Sequence, residues 1–201
     1  MGENNKRVID RIKIAADKGD PDSQFILATM FDDVLEYTNK EEAFKYYNLA
    51  AQNGIAEAQF KLGDIYYYNK DLLLPNINKK LAFHYYKLAA DNGYAPAQYE
   101  LGDIYCDGMS EYITRTGKSV TVVSEDKTEA LKYYKLAALG GVEEALINVL
   151  SLCLDQNKFE DFEQFFMIAD SSEDEMIRLD AHNMYSSYIR FKKQLNSSKL
   201  K

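Results

Sequence analysis

Few residues in this chain have the types and spacing that catalysis or cofactor binding requires. Gly117-Lys118-Ser119 matches the end of a phosphate-binding loop, but that motif needs a second Gly five residues earlier, where Tyr112 stands. The chain has two His and two Cys, too few for a zinc site of the usual Cys/His type or for a disulfide framework. We therefore predict no catalytic residue, no metal and no cofactor, and we expect a protein that is not an enzyme.

The acidic charge balance narrows the class of partner. Lys and Arg total 24 against 32 Asp and Glu, which gives a formal net charge of −8. Because such a protein repels phosphate backbones and anionic bilayers, we expect neither a nucleic acid nor a membrane as its partner. The scarcity of Cys fits a reducing compartment, and the first residues lack an apolar run of signal-peptide length, so the expected location is the cytoplasm.

Internal repetition defines the elements that must position any site. Four similar strings, AADKG, AAQNG, AADNG and AALGG, begin at Ala15, Ala50, Ala89 and Ala137. After each Gly, a Leu or Val recurs eight positions on, and in three copies a Gln and a small residue recur five and nine positions on. These intervals are helical, so the segment after each Gly is predicted to be a helix, which we call helix A.

A second repeated block completes each copy as a further helix, which we call helix B. Its four versions read KYYNLAA, HYYKLAA, KYYKLAA and QFFMIAD. The recurrent Gly is expected to end helix B in the left-handed conformation, and small residues on helix A (Ala28, Gly63 and Gly102) should let a neighbouring helix approach closely. Because one such helix pair buries too little apolar surface alone, the copies are expected to stack.

The combined pattern, A-x-x-G-x-x-x-A-Q-x-x-L-G-x-x-Y followed by K-A-x-x-Y-Y-x-L-A-A, resembles the Sel-one-like repeat family, relatives of the tetratricopeptide repeats. It is seen at Ala51–Tyr66 with Lys80–Ala90 and at Ala90–Tyr105 with Glu129–Ala138, and it covers roughly residues 8–170. The fourth copy departs from it at the Gln, Gly and Tyr positions. The resemblance implies a right-handed helical solenoid whose concave surface holds another protein, without catalysis as a rule.

We therefore expect an all-α fold: a right-handed α-α superhelical solenoid of about four helix pairs plus terminal capping helices, with a β-hairpin-like insertion. The chain 1–201 is taken as a single domain. A capping box from Ser172 to Glu175 is expected to start the last helix. The predicted parts are an N-terminal helix B at 6–17, repeats near 19–51, 54–90, 93–138 and 141–170, an inserted hairpin loop at 109–125, and a C-terminal capping helix at 171–194.

One face of helix A is predicted to be acidic. Residues three, seven, ten and fourteen after the cap Gly share a face opposite the packing positions, and nine of these sixteen are acidic whereas one is basic. The outer face of helix B carries four Lys and no acid. The acidic face suits a partner with a basic surface or segment, and the alternative is that both faces are merely solvated. The predicted partner-binding residues on or near it are Asp33, Glu57, Lys61, Asp64, Tyr67, Tyr68, Tyr99, Glu100, Asp103 and Asp107.

Two loops between helix A and helix B also differ from the repeat pattern. Tyr112–Val123 reads YITRTGKSVTVV, whose alternating β-branched residues around a Thr-Gly-Lys turn predict a β-hairpin. We predict that Tyr112, Arg115 and Lys118 contact the partner, and the alternative is a tolerated insertion. In the second loop, Leu72–Leu74 are expected to be buried against the neighbouring repeat, with a partner contact as the alternative.

These observations favour an interaction module over an enzyme. The first hypothesis is an adaptor or scaffold that binds a protein partner through the acidic A-helix face and the inserted loop. The second is an immunity or inhibitor protein that neutralises a basic toxin or enzyme by docking on it, and the third is a regulatory subunit. We expect reversal of Asp64, Glu100 and Asp103 to Lys to weaken partner binding without unfolding the protein. The sequence leaves the oligomeric state open.

Overall fold

The repeated blocks form consecutive helix pairs. The computed structural model describes residues 3–34, 39–68, 78–113 and 116–199, and within them it has ten α-helices, one π-helical turn and a two-stranded sheet. Helices A alternate with helices B from α2 to α9, which confirms the predicted all-α repeat architecture and its hairpin. The helices are α1 (Glu3–Asp17), α2 (Pro21–Thr29), α3 (Lys40–Gln52), α4 (Ala56–Tyr68), α5 (Lys79–Asp91), α6 (Ala95–Asp107), α7 (Lys127–Leu139), α8 (Glu144–Asp155), α9 (Phe159–Asp170) and α10 (Glu175–Lys199).

The helices are grouped into two compact units. Unit 1 comprises Met1–Ala97 with Met109–Val123, and unit 2 comprises Gln98–Gly108 with Ser124–Lys201. The buried cluster of unit 1 includes Leu27, Tyr47, Ala50 and Leu62. That of unit 2 includes Tyr134, Leu150, Phe162, Ala181 and Tyr188. Each unit therefore buries an apolar core of its own.

Helix boundaries follow from local side-chain and backbone chemistry. The side chains of Asp20, Asn39, Asn78 and Asp126 each accept a hydrogen bond from a backbone N–H two or three residues on, which starts α2, α3, α5 and α7. Glycines with φ between 83° and 94° follow the ends of α1, α3, α5 and α7, as predicted for left-handed cap residues. These are Gly19, Gly54, Gly93 and Gly141.

The last helix begins differently from the prediction. Asp174 Oδ1 accepts hydrogen bonds from the N–H groups of Met176, at 2.7 Å, and Ile177, at 3.4 Å, so Asp174 is the cap of α10. Ser172 lies outside the helix, where its Oγ donates to Glu143 Oε2 and accepts from the Asp174 N–H. The predicted capping box from Ser172 to Glu175 is therefore wrong, because an aspartate directly before the helix takes the capping position.

A buried glutamine connects each helix A of unit 1 to the two helices B beside it. Gln24 Nε2 donates to the carbonyl of Ala16 at 3.1 Å, and its Oε1 accepts from Asn53 Nδ2 at 3.0 Å. Gln59 makes the equivalent two bonds one repeat later, the second with Asn92 Nδ2 at 2.9 Å. We call each set a Gln–Asn rung; it satisfies a buried amide and ties three successive helices together.

Each of the first three loops is closed by one backbone hydrogen bond. The N–H of the residue that caps helix B donates to the carbonyl of an aromatic residue in the last turn of helix A or just after it. The same bond therefore fixes where helix B starts, although the segments that it closes become longer from repeat to repeat. The pairs are Asn39 with Phe31 (2.9 Å), Asn78 with Tyr66 (2.8 Å) and Asp126 with Tyr105 (2.7 Å).

The longest segment contains the hairpin. Strand β1 (Met109–Ile113) pairs antiparallel with β2 (Lys118–Val123), with an irregularity between Met109 and Ser110. Met109 and Val123 are buried at the base of the hairpin, whereas residues 118–121 are exposed. The first strand thus begins three residues before the predicted start at Tyr112.

Two small residues on helix A are in direct contact with a tyrosine ring of the next helix B. A Cβ atom added at Gly63 would lie 2.5 Å from ring atoms of Tyr86, and one added at Gly102 would lie 2.5 Å from ring atoms of Tyr134. The predicted close approach of helices at these positions is therefore observed, and a tyrosine ring fills the space that a side chain would take.

We expect Gly102→Ala to destabilise unit 2. Alanine stabilises a helix interior by about 1 kcal/mol relative to glycine. Here, however, a methyl group must displace the Tyr134 ring from a close-packed core, and such overpacking costs roughly 1–3 kcal/mol. The free energy of unfolding, measured by chemical denaturation, should fall. Ser151→Ala, at an exposed position of α8, is the control and should change it little; a Gly102→Ala protein as stable as the control would contradict the prediction.

Candidate functional site

Two of the predicted partner-binding carboxylates are hydrogen-bonded to tyrosines of the following helix B. The Tyr86 hydroxyl donates to Asp64 Oδ1 at 2.9 Å, and the Tyr134 hydroxyl donates to Asp103 Oδ1 at 2.6 Å. Each aspartate directly follows the glycine on which the tyrosine ring lies. We call each Gly–Asp–Tyr set a tyrosine lock, because ring packing and hydrogen bond together hold helix A against helix B.

Burial governs the protonation of these carboxylates. Desolvation raises the pKa of Asp64 above its ordinary value, although the Tyr86 hydroxyl and Lys61 act in the opposite direction. Desolvation likewise raises the pKa of Asp103, opposed by the bond from Tyr134 and reinforced by the nearby charge of Asp107. The pKa of Tyr134 is raised as well, first by burial and then by its bond to Asp103.

The tyrosine locks correct one expectation from the sequence. Asp64 and Asp103 are half-buried and serve the packing of the repeat. Reversal of either to Lys would leave a buried hydroxyl without its acceptor and place an ammonium group at a half-buried position, so we expect it to destabilise the fold. Of the three residues chosen for reversal, Glu100 is the one with no role in a tyrosine lock.

The first repeat makes the corresponding bond from a different position. Thr29 stands where the second and third copies have Asp, and the helix continues into the π-helical turn Met30–Val34. Within that turn, Asp32 accepts a hydrogen bond from the Tyr47 hydroxyl at 3.3 Å and contacts Lys40 Nζ at 2.5 Å. The backbone of Asp33 lies in the same turn, and its side chain is outside the described residues. The sequence pattern did not predict this turn.

In unit 1, the predicted acidic face includes a compensating cation. Glu57 is exposed, and Lys61 is half-buried close enough to Asp64 to lower the pKa of that carboxyl. Tyr94, which the sequence analysis did not select, belongs to the same surface: burial raises its pKa, and the charges of Glu57 and Asp64 raise it further. Its position directly after a cap Gly was the available signal.

The two tyrosines at the end of α4 differ in accessibility. Tyr67 is half-buried, with its ring centroid 4.6 Å from that of Tyr68 and 6.4 Å from that of Tyr86, and Lys79 Nζ lies 5.1 Å from its ring. Tyr68 is 53% exposed. Tyr67 is thus mainly a packing residue, whereas Tyr68 presents its ring to solvent.

In unit 2, several carboxylates affect the electrostatics of one aromatic residue, Tyr99. Tyr99 is half-buried; its ring centroid lies 5.7 Å from that of Tyr134, and its hydroxyl accepts from Asn148 Nδ2 at 3.4 Å. Burial raises the pKa of Tyr99, and the charges of Asp103, Glu144 and Glu100 each raise it further. The three carboxylates, on α6 and α8, therefore all oppose ionisation of the Tyr99 hydroxyl.

Further charges extend this arrangement along α6 and α8. Asp107 is exposed one turn beyond Asp103 and acts on it electrostatically. Lys127 Nζ lies 3.8 Å from Asp155 Oδ2 at the end of α8. We use the name unit 2 acidic surface for the set Tyr99, Glu100, Asp103, Asp107, Glu144 and Asn148.

The hairpin places two of its three predicted contact residues in solvent. The Tyr112 side chain is 64% exposed, and Lys118 is exposed at the start of β2. Arg115 lies outside the described residues, as do Leu72–Leu74 of the second loop. The structure therefore leaves the predictions for those residues untested.

The outer face of helix B is less basic than the sequence pattern indicated. All four of its predicted lysines contact a carboxylate on the same or a neighbouring helix, which reduces the net charge of the face. The pairs are Lys45 with Glu42 (3.3 Å), Lys87 with Asp91 (3.2 Å), Lys132 with Glu129 (2.9 Å) and Lys135 with Asp161.

The thiols and imidazoles form no reactive constellation in the part of the chain that the structure describes. Burial raises the pKa of Cys106 and raises that of Cys153 to about 11, so the reactive thiolate is disfavoured at both. His84 and His182 are exposed on separate helices. Among the described residues no group of three or more His, Cys, Asp or Glu side chains has the arrangement of a metal site, and no described helix is long and apolar enough to span a bilayer.

The family comparison agrees with the repeats read from the sequence. The model of the Sel1 repeat matches residues 21–55, 56–94 and 95–142, which together make up more than half of the chain. Each match takes in one helix A and the helix B that follows. The pair α8 and α9 lies beyond these matches, in agreement with the departure of the fourth copy from the pattern.

Solved structures give the same result for the fold. A Sel1 repeat protein from Oxalobacter formigenes is 30% identical over 71% of this chain and 97% of its own, with a TM-score of 0.58. The protective antigen c5321 of uropathogenic Escherichia coli, which displays an SLR fold, is 20% identical over 87% of this chain and 35% of its own, with a TM-score of 0.67. The immunity protein Pa5087 from Pseudomonas aeruginosa reaches 18% identity over 90% of this chain and 73% of its own, with a TM-score of 0.36, which is too low to support an argument. No curated protein matches the chain.

We expect Asp103→Asn to become increasingly favourable as the pH rises. Because the pKa of Asp103 is higher in the folded protein than its ordinary value of 3.8, the folded state holds this proton more tightly, and stability is lost as the pH rises from 3.8 through the folded-state pKa. Asparagine keeps an acceptor for the Tyr134 hydroxyl and carries no charge. The unfolding free energy of the variant minus that of the wild type should therefore increase from acid to neutral pH in denaturation curves.

Asp180→Asn, at an exposed position of α10, is the matched control for this pH series. Its difference from the wild type should stay nearly constant over the same range. A difference for Asp103→Asn that decreases toward neutral pH would show that the charged hydrogen bond outweighs the desolvation of the carboxylate.

Proposed function

The chain belongs to the Sel1 repeat family, and from that premise we propose that it is a non-catalytic interaction module that binds a protein partner with a basic surface or segment. Repeats of this kind imply protein–protein interaction. The partner's charge is inferred from the unit 2 acidic surface, and that surface is the observation on which the proposal depends.

The composition of the unit 2 acidic surface supports a basic partner. Glu100, Asp103 and Glu144 act together on Tyr99, and Asp107 adds a fourth carboxylate one turn away. A group of negatively charged carboxylates attracts a basic partner at long range and raises its association rate. The half-buried ring of Tyr99 adds a rigid aromatic group beside them, of the kind that binds Arg and Lys side chains at interfaces.

The face of unit 1 is the weaker candidate for the same role. Lys61 lies among Glu57 and Asp64, and Asp64 is engaged in a tyrosine lock. The positive charge there partly cancels the attraction for a basic partner. We therefore assign the charge-dependent part of binding to unit 2, with Tyr112 and Lys118 of the hairpin as a separate contact.

The test of the acidic surface reverses its charge without touching the tyrosine locks. Asp107→Lys/Glu144→Lys changes two exposed carboxylates. We expect this variant to recover less of a partner that the wild type captures from native lysate at low salt, and to bind the purified partner at least about tenfold more weakly, because two attractive charges have become repulsive. Binding by the wild type should weaken as salt is added, since exposed charges are screened.

A charge-matched control separates a local effect from a change in net charge. Glu160→Lys/Asp180→Lys reverses two exposed carboxylates on α9 and α10 that are not part of the unit 2 acidic surface, and it should bind the partner as the wild type does. If both double variants bind equally, the acidic surface is only a solvated face. One stoichiometric partner whose own activity is lost on binding would indicate the inhibitor function, whereas several partners with fast dissociation would indicate an adaptor.

The contribution of the hairpin is best tested at its exposed residues. Deletion of 109–125 would also remove Met109 and Val123, which are buried, so it would disturb unit 1. Tyr112→Ala removes a ring that is 64% exposed and leaves the base of the hairpin intact. We expect about a tenfold or greater loss of partner affinity if the ring is a central anchor, with Val120→Ala on the neighbouring strand as the control. Unchanged affinity in Tyr112→Ala would identify the hairpin as a tolerated insertion.

A further inference from the structure

The two Asn-Gly sequences of unit 1 lie at its Gln–Asn rungs. Asn53 and Asn92 each follow the last residue of a helix B and precede a cap glycine with positive φ. Both asparagines are exposed, and a Cβ added at Gly54 or Gly93 would meet no atom within 4 Å. Glycine places no side chain in the way of its own backbone nitrogen, so an Asn-Gly sequence is chemically the most prone to deamidate.

We propose that Asn53 and Asn92 are deamidation sites whose reaction is controlled by the Gln–Asn rungs and whose product breaks them. The backbone nitrogen of the following glycine attacks Cγ of the asparagine, a C–N bond forms, and the Cγ–Nδ2 bond breaks. The proton of the glycine N–H leaves with Nδ2 as ammonia. Water then opens the resulting succinimide at either carbonyl to give aspartate or isoaspartate. The net reaction consumes one water and releases one ammonia.

The folded structure holds both reacting groups away from this path. Asn53 Nδ2 donates to Gln24 Oε1 at 3.0 Å and to the carbonyl of Leu49 at 3.1 Å, while the N–H of Gly54 donates to the carbonyl of Ala51 at 3.1 Å. Attack requires the Gly54 nitrogen to leave its acceptor and the side-chain amide to turn toward it. Deamidation of Asn53 is therefore confined to the fraction of molecules in which the end of α3 has opened.

The second rung makes the corresponding bonds to the glutamine and from the glycine. Asn92 Nδ2 donates to Gln59 Oε1 at 2.9 Å, and the N–H of Gly93 donates to the carbonyl of Ala90 at 2.9 Å. In the third copy, Gly140 stands at the position of the asparagine. The reaction is thus a property of the two repeats in unit 1.

The product cannot rebuild the rung. An aspartate at position 53 has no donor, so its carboxylate would face the Gln24 Oε1 and Leu49 carbonyl oxygens. If the Gln24 amide flipped to donate to the carboxylate, the carbonyl of Ala16 would lose its donor instead. A negative charge at the C-terminus of α3 also opposes the helix dipole. Each deamidation therefore loosens the contact between repeats irreversibly and favours further opening.

The kinetic test compares the two sites in reciprocal variants. The wild-type protein and the variants Gln24→Met and Gln59→Met are incubated in mildly alkaline buffer, and deamidation of each Asn-Gly peptide is followed by mass spectrometry. We expect Gln24→Met to accelerate deamidation of Asn53 by about tenfold with little effect on Asn92, because it removes one acceptor of the Asn53 amide. Gln59→Met should accelerate deamidation of Asn92 by about tenfold and that of Asn53 by less, because Gln59 also donates to the carbonyl of Ala51 at the end of α3. Equal acceleration of both sites in either variant, or of neither, would overturn control by the rungs.

Two measurements keep the proposal testable if a glutamine variant does not fold. First, the wild-type protein unfolded in urea should deamidate at both sites about tenfold or more faster than the native protein; equal rates would contradict protection by the fold. Second, Asn53→Asp should lower the midpoint of thermal unfolding more than Gln52→Glu. Gln52 is exposed beside Asn53, so its variant adds the same charge at the same helix end without touching the rung. Equal midpoints for the two variants would show that the product does not break it.

Discussion

The packing of helix A against helix B depends on a tyrosine ring that lies on the bare Cα of a glycine. At Gly63 and Gly102 the ring takes the space of a missing side chain, and its hydroxyl then reaches the carboxylate of the next residue. One tyrosine side chain thus makes both the apolar contact with the glycine and the hydrogen bond to the aspartate. A side chain at the glycine would therefore clash with the ring, and loss of the acceptor at the aspartate position would leave the tyrosine hydroxyl unsatisfied.

The sequence predicted the elements well where the governing interactions are local. Helical spacing, cap glycines and the alternating residues of the hairpin identified the repeats and β2, because each depends on neighbours within a few positions. The roles of Asp64 and Asp103 were not predicted, since spacing along one helix places a residue on a face but does not show how far a tyrosine of the next helix extends. Asp174 was missed because Ser172, two positions earlier, is also a residue that caps helices. The bond from Tyr47 to Asp32 in the π-helical turn was missed because Thr29 stands at the position of the aspartate in the repeat pattern.

The candidate surface changes character once side-chain partners are known. Lysines that made helix B look basic are engaged with carboxylates such as Glu42 and Asp161, and Lys61 reduces the acidity of unit 1. The charges that raise the pKa of Tyr99 belong to three carboxylates, and for that reason we propose unit 2 as the site for a basic partner. The count of charged residues along the sequence therefore overestimated the difference in charge between the faces of helix A and helix B. It underestimated the difference in charge between the two units.

The backbone bond that closes each loop has a consequence for how such a protein can diversify. Asn39, Asn78 and Asp126 meet Phe31, Tyr66 and Tyr105 in the same way, whether the intervening segment is short or contains a hairpin. The same hydrogen bond thus joins the two ends of each segment. The entropic cost of closing a loop rises only slowly with its length, so a longer segment can be closed in the same way. New sequence can be accepted at this junction without redesign of the helices, which makes it a natural place for recognition to evolve and a suitable site for grafting a foreign peptide.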